Sequence, residues 1–252
     1  MTTTHLDHAG PIATGAEQRV GWTALLRWGA ITAVLASAAT MVLNRFVGPS
    51  MLVLIAALLA GLWLLRRHQR AAVVTIGVVS ALDLAFHGPL SLFLLPIIDY
   101  PKGWIPGTVG MVASIVNVSA AVAAFRSRRT VPTSAPRVVA TAAVALVAVG
   151  AIVSLIAGVT AADEPVRSGD VALVAVGNRF SDQELSAESG EITVHVTNLD
   201  PIMHTLVIPE LDVVLAVPDG SSRRATFTAP PGRYDFHDEI TLGNMRGVLV
   251  VR

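Results

Sequence analysis

Five long apolar runs, separated by short clusters of arginine, fill the first 160 residues and make a bilayer the natural solvent for most of this chain. A helix needs about 20 apolar residues to cross the hydrocarbon core. The candidate spans are residues 24–47, 50–65, 71–98, 106–125 and 138–159. The second is short, and Arg66 and Arg67 stand where they could snorkel from its end. Pro89 removes a backbone donor from the third, which predicts a kink or break there.

The arginines set an orientation, because short loops rich in Lys and Arg stay in the cytoplasm. Arg66, Arg67 and Arg70 form one basic loop, and Arg126, Arg128, Arg129 and Arg137 form another. In a five-helix count both loops fall on the same side, and the opposite side carries only Arg45 and Lys102. The expected organisation is a cytoplasmic leader (1–22), a transmembrane helical domain (23–160), a linker (161–169) and an extracytoplasmic domain (170–252). A four-helix count would put the last domain inside, and the five-helix count is favoured. The leader is polar, and the first apolar run starts too late and runs too long for a signal peptide. His5 and His8 in that leader read as incidental.

Composition excludes several functions. Eighteen Lys and Arg balance eighteen Asp and Glu, so no basic field exists to hold nucleic acid. No phosphate-cradling glycine loop, nucleophile elbow, HExxH helix or catalytic carboxylate pair occurs. The chain has no cysteine, which removes disulfides and thiol chemistry. An enzyme is not expected.

From Val171 onward the pattern changes to short β-branched runs punctuated by turn residues. Strands are expected over 171–176, 192–197, 205–208, 213–217, 224–228, 233–237 and 246–251, with a weaker one over 180–185. Pro201, Pro209, Gly220, Pro230, Pro231, Gly232 and Gly243 mark the turns. Such spacing is that of an all-β sandwich or barrel. The fold class is therefore mixed, with a multi-pass helical membrane domain followed by an all-β domain.

Within that last part stand Asn198 to His204, then Tyr234, Asp235 and Phe236 after a Pro-Pro-Gly turn, then Gly243 to Gly247 around Met245. In this order these residues resemble the cupredoxin family of blue copper domains. The resemblance implies a Greek-key sandwich in which an early histidine and a late Cys/His/Met loop hold one copper ion. Only His204 and Met245 match the family's ligands. The cysteine position is Asp238, and the second histidine would fall among Ile240, Thr241 and Leu242. Without a thiolate no blue copper site can form.

Two readings of the altered site remain open. Strand alternation puts Tyr234, Phe236 and Asp238 on one face, and Asp235 and His237 on the other. His204, Asp238 and Met245, with Glu239, would offer an imidazole, carboxylates and a thioether, a mixed set that could hold Cu(II) or another divalent ion. Alternatively His204 and Asp238 hydrogen-bond to each other and fill the place without a metal. His237 neighbours the lost cysteine and is a further candidate ligand, although alternation points it outward. Met245 could equally be a core plug. His195 alternates with Ile192, Val194 and Val196 and reads as a solvent-face residue.

Asp83 and His87 in the third apolar run are four residues apart and share a helical face. Ionisable groups at membrane depth are functional candidates by default. The pair is either a relay for protons or a metal, or a structural fastening with Asn117 as its expected partner. Trp28 and Trp104 read as interfacial anchors.

The first functional expectation is a membrane protein displaying an extracytoplasmic cupredoxin-like domain that binds or handles copper or another metal. The alternative is a metal-free domain acting as an interaction or sensing module of a membrane assembly. Electron transfer is penalised by the missing thiolate, and one intramembrane histidine offers no haem ligation. The expected partners are the lipid bilayer, a metal ion, and a membrane or extracytoplasmic protein.

Overall fold

The computed structural model describes residues 15–45, 47–126, 135–161, 163–241 and 245–252. His5, His8, Arg128, Arg129 and the turn at 242–244 lie outside them. The chain divides between Gly158 and Val159 into two units.

The first unit holds five helices among the described residues: α1 (Gly15–Leu43), α2 (Pro49–Leu64), α3 (Gln69–Leu94), α4 (Pro101–Arg126) and α5 (Ala135–Thr160). Trp22, Leu26, Ala30 and Ala33 of α1 pack on Leu54 and Leu58 of α2, Val73 and Ile76 of α3, and Ala113, Ala120 and Ala121 of α4. Small side chains dominate these seams because helices in lipid gain most from close backbone approach. Gly29 is one such contact, since a Cβ there would overlap the side-chain oxygen of Asn117. Outward faces are apolar, as at Val53, Val78, Phe86, Val144 and Val159.

Four spans, Gly21–Leu43, Gln69–Leu94, Pro101–Arg126 and Arg137–Thr160, are long and apolar enough to cross a membrane. The remaining helix, α2, has 16 residues, or ~24 Å of rise against a core of ~30 Å. A kink or break is expected at Pro89, and the helix is not broken there: α3 runs through it to Leu94. Likewise α4 begins at Pro101, five residues before the expected start, with Pro106 inside it. Pro101 takes the first helical position, whose N–H has no helical partner in any case. Trp104 is a correction: it is 9% exposed, packs on Gly150 of α5 and donates to the Leu95 carbonyl at 3.0 Å. Trp28 is exposed, with Arg27 over its ring.

The second unit contains eight strands among the described residues. They are β1 (Val171–Ala175), β2 (Glu184–Ala187), β3 (Gly190–Asn198), β4 (His204–Ile208), β5 (Val213–Val217), β6 (Ser222–Ala229), β7 (Gly232–His237) and β8 (Arg246–Val251). One sheet has the order β1-β3-β6 and the other β2-β8-β7-β4-β5. The pairs β1–β3 and β2–β8 are parallel, and the remaining pairs are antiparallel. Inward residues of both sheets make one core of Leu173, Val194, Val196, Leu206, Ile208, Phe236 and Leu249. Phe180 meets Phe236 edge-on, with ring centres 5.3 Å apart. The weak strand expected at 180–185 lies instead at Glu184–Ala187, and Phe180 forms only an isolated bridge with Ala175.

Candidate functional site

The buried polar groups of the sandwich gather where β3 passes into β4 and β7 ends. Asn198 closes β3 with no exposure, and its Nδ2 donates to the carbonyls of Ile202 at 2.7 Å and Val217 at 2.9 Å. Its Oδ1 accepts the Asp200 N–H at 2.9 Å. These bonds curl residues 199–203 into a tight loop that brings Asp200 beside His204, the first residue of β4.

Asp200 is gripped from behind by a turn. Gly177 and Asn178 have φ of 63° and 55°, the left-handed region that glycine and asparagine tolerate best. That conformation aims both N–H groups at the carboxylate, at 2.7 and 2.8 Å. Asp200 in turn faces the His204 ring, with Oδ2 2.9 Å from Nε2.

On the other side of the ring, Nδ1 of His204 lies 3.0 Å from Oδ2 of Asp238. Asp238 also accepts from the Thr205 N–H at 2.7 Å, the Thr205 hydroxyl at 2.8 Å, the Ile240 N–H at 3.2 Å and the Thr241 N–H at 3.0 Å. Neither His204 nor Asp238 has any exposed surface.

The electrostatics follow from these bonds. Burial pushes the Asp238 carboxyl up, but the hydrogen bonds from His204 and Thr205 outweigh it and bring the pKa from 3.8 down to about 2. Burial likewise opposes ionisation of Asp200, and the Asn178 and Gly177 amides with His204 hold it below its ordinary value. For His204 burial pushes downward, and the bonds to Asp238 and Asp200 prevail and raise it. Both ring nitrogens face carboxylate oxygens, and only an imidazolium can donate to both. The unit is therefore carboxylate, imidazolium, carboxylate, stitched to the backbone of three loops.

This arrangement does not fit a metal ion. A histidine ligand offers a lone pair on a neutral ring, whereas both nitrogens of His204 are engaged as donors. Every oxygen of Asp238 is likewise filled. Met245 is buried in the hydrophobic core, and its carbonyl accepts the Asp238 N–H at 3.1 Å. His237 and Glu239 are 31% and 56% exposed and lie 3.4 Å apart, away from the buried ring. Among the described residues, no group of three or more His, Asp or Glu is arranged to hold a metal. The structure thus brings His204 and Asp238 together as a hydrogen-bonded pair and leaves His237 and Glu239 outside.

Sequence reasoning missed Asp200, reading it only as part of the Asp-Pro turn. Its spacing of four from His204 was the available signal. His195 is a correction. It does sit on the outer face of β3, yet it is 6% exposed because the tether covers it, and its Nε2 lies 2.7 Å from the Glu164 carbonyl oxygen.

In the helical unit, Asp83 Oδ1 lies 2.9 Å from His87 Nδ1. The partner on α4 is Ser114, which donates to Asp83 Oδ2 at 2.7 Å. Asn117, the expected partner, donates instead to Ser80 at 3.1 Å. A side chain one helical turn away along α4 has taken the place assigned to it.

A family model described as a cupredoxin-like domain matches residues 143–251. Amicyanin from Paracoccus versutus is 15% identical over 34% of this chain and 85% of its own, with a TM-score of 0.30. A copper-containing nitrite reductase from Thermus scotoductus is 25% identical over 37% of this chain and 27% of its own, with a TM-score of 0.29. A chain of a heme-copper terminal oxidase dimer is 18% identical over 45% of this chain and 97% of its own, with a TM-score of 0.31. No curated protein matches.

Proposed function

We propose that this protein, whose residues 143–251 match a family model of a cupredoxin-like domain, is a multi-pass membrane protein that displays its β-sandwich as a metal-free interaction or sensing module. The observation that carries the reading is the position of His204, with one ring nitrogen 3.0 Å from Asp238 and the other 2.9 Å from Asp200. The histidine that the family spends on copper is here the centre of an ionic cross-link. Such a link ties the loops at one end of the sandwich together as a metal would, with a proton as the only cation.

The arginine-rich loops support placement of the N-terminus in the cytoplasm and of the sandwich outside it. There the domain would meet extracytoplasmic proteins or the outer faces of membrane partners. Copper handling is the second reading, and it rests on the family match alone.

Copper titration of the full chain in detergent, by calorimetry and thermal melting, separates the two. The expected result is no stoichiometric binding and no gain in melting temperature. Stoichiometric binding that vanishes in both His204→Ala and Asp238→Ala would replace this reading with a metal-handling one.

A further inference from the structure

The helical unit carries a second polar network, arranged in three levels along the facing stripes of α3 and α4. At the first, Asn117 donates to Ser80 at 3.1 Å. At the second, three residues on along α3 and three back along α4, Ser114 donates to Asp83 at 2.7 Å. At the third, His87 binds Asp83 through Nδ1 at 2.9 Å and reaches the Ser50 hydroxyl through Nε2 at 3.3 Å. Residues three or four apart share a helix face, so the levels follow one another directly.

Exposure falls along this ladder. Ser50 is exposed, the side chain of His87 is 25% and that of Asp83 12% exposed, and Ser80, Ser114 and Asn117 are buried. Beyond Ser80 and Asn117 the seam is apolar, with Ile76, Ala120 and Ala121 buried and Gly77 closed against Ala121. The ladder therefore stops inside the bundle. At its other end stands Ser50, the second residue of α2, which is exposed beside the α1–α2 connection. Water reaching the edge of α2 reaches Ser50. Beside His87, Pro89 leaves the Ala85 carbonyl without its helical donor.

Other charges stand at the helix ends, with Asp99 in the α3–α4 connection. The described part of α2 has no ionisable residue. On α4, Lys102 and Arg126 stand at the two ends. Near the α1–α2 connection are Arg45 and Asn44, whose amide accepts from the Tyr100 hydroxyl. Among the described residues, the one ion pair made by either His87 or Asp83 is the one between them.

We propose that Asp83, His87, Ser50 and Ser114 form a proton-binding site that opens only at the end of the bundle bearing the α1–α2 connection. A hydronium at Ser50 delivers its proton to His87 Nε2 and leaves as water. The resulting imidazolium keeps its Nδ1–H directed at Asp83 Oδ1, while Ser114 holds the other carboxylate oxygen. Release retraces the same path, because the Ser80–Asn117 level offers no onward route through the apolar seam. The site takes up a proton without conducting it across the membrane.

The test uses the full chain in nanodiscs with ¹⁵N-labelled histidine, where the His87 signals are those lost in His87→Gln. As the pH is varied, the ring ¹⁵N signals are expected to report proton uptake at His87 that Asp83→Asn alters. The chain has no cysteine, so Ser50→Cys, His87→Cys and Ser80→Cys can be probed in proteoliposomes with a charged, membrane-impermeant thiol reagent. The first two are expected to react many times faster than the third, and from one side only. A ring that takes up no proton, uptake indifferent to Asp83→Asn, or a Ser80→Cys thiol as reactive as the His87→Cys one would each overturn the proposal.

Discussion

Oδ2 of Asp200 lies 2.9 Å from Nε2 of His204, four residues later in the chain. In an extended strand such residues stand more than 10 Å apart, at about 3.3 Å per residue. The contact exists because Asn198 folds the intervening loop back on itself, and because Gly177 and Asn178 hold the carboxylate in place.

Removing one member of this buried unit should cost far more than its hydrogen bonds alone, since the remaining charges would be stranded in the core. Asp238→Asn or His204→Leu is expected to destabilise the domain by about 3–5 kcal/mol. For a unit of this size that lowers the melting temperature by at least ~12 °C. Asp200→Asn should cost less, because Asp200 keeps some solvent contact. Melting followed by far-ultraviolet circular dichroism of the β signal would check the order. Equal losses in all three would show that the unit is not graded by burial.

The same charges set a pH window. Asp238 falls from 3.8 to about 2 in the folded domain, so its contribution is present above pH 3.8 and is lost as pH falls through about 2. His204 is raised above 6.5, so its contribution is complete below 6.5 and fades as pH climbs through the raised value. Stability should therefore be highest between about pH 4 and 6.5 and decline on both sides. The acid limb is worth on the order of 2 kcal/mol, from a shift of nearly two units at about 1.4 kcal/mol each. In His204→Gln the alkaline decline should disappear, and a decline that persists would assign it to another group.

Much of this was legible in the sequence, and the exceptions share a cause. Strands such as Val213–Val217 and Arg246–Val251 follow from alternation and turn residues, which are local. Placement of Phe236 and Asp238 indoors, and of His237 outward, followed from the same rule. Alternation could not show that a tether would cover the outer face at His195, because covering is a contact between distant segments. Nor could it show that Asp200 would curl onto His204, which depends on the backbone carbonyls of Ile202 and Val217 that Asn198 finds. In the helices, helical spacing identified the Asp83–His87 pair, but whether Ser114 or Asn117 faces it depends on the rotation of α4, which one sequence does not fix.

That rotation is held by Asn117, whose side chain lies where a Cβ on Gly29 would stand. Gly29→Ala should push α1 and α4 apart at this point and cost about 1–3 kcal/mol. The double variant Gly29→Ala, Asn117→Ala should recover most of that loss, because the overlapping atoms are gone. Thermal stability in detergent, read from the fluorescence of tryptophans such as the buried Trp22, measures the cycle. Additive losses would mean that the two residues do not press on each other.

The tether offers the last test. Asp170 holds Arg224 through two bonds of 2.9 and 2.6 Å, the Ser222 N–H donates to Asp163 at 3.1 Å, and the Glu164 carbonyl meets His195. Residues 163–170 are therefore strapped onto the outer face of β3 and β6 instead of swinging free. A lysine at 224 keeps the charge but loses the planar fork that makes both bonds. Arg224→Lys and His195→Leu should each speed tryptic cleavage after the exposed Arg167 several-fold while leaving the melting temperature of the sandwich core nearly unchanged. The substitutions keep every tryptic site in the strap, so the rate reports its opening alone. An unaltered cleavage rate would mean that the main-chain bond from the Glu164 N–H to the Ser222 carbonyl, 3.2 Å long, holds the strap without help from either side chain.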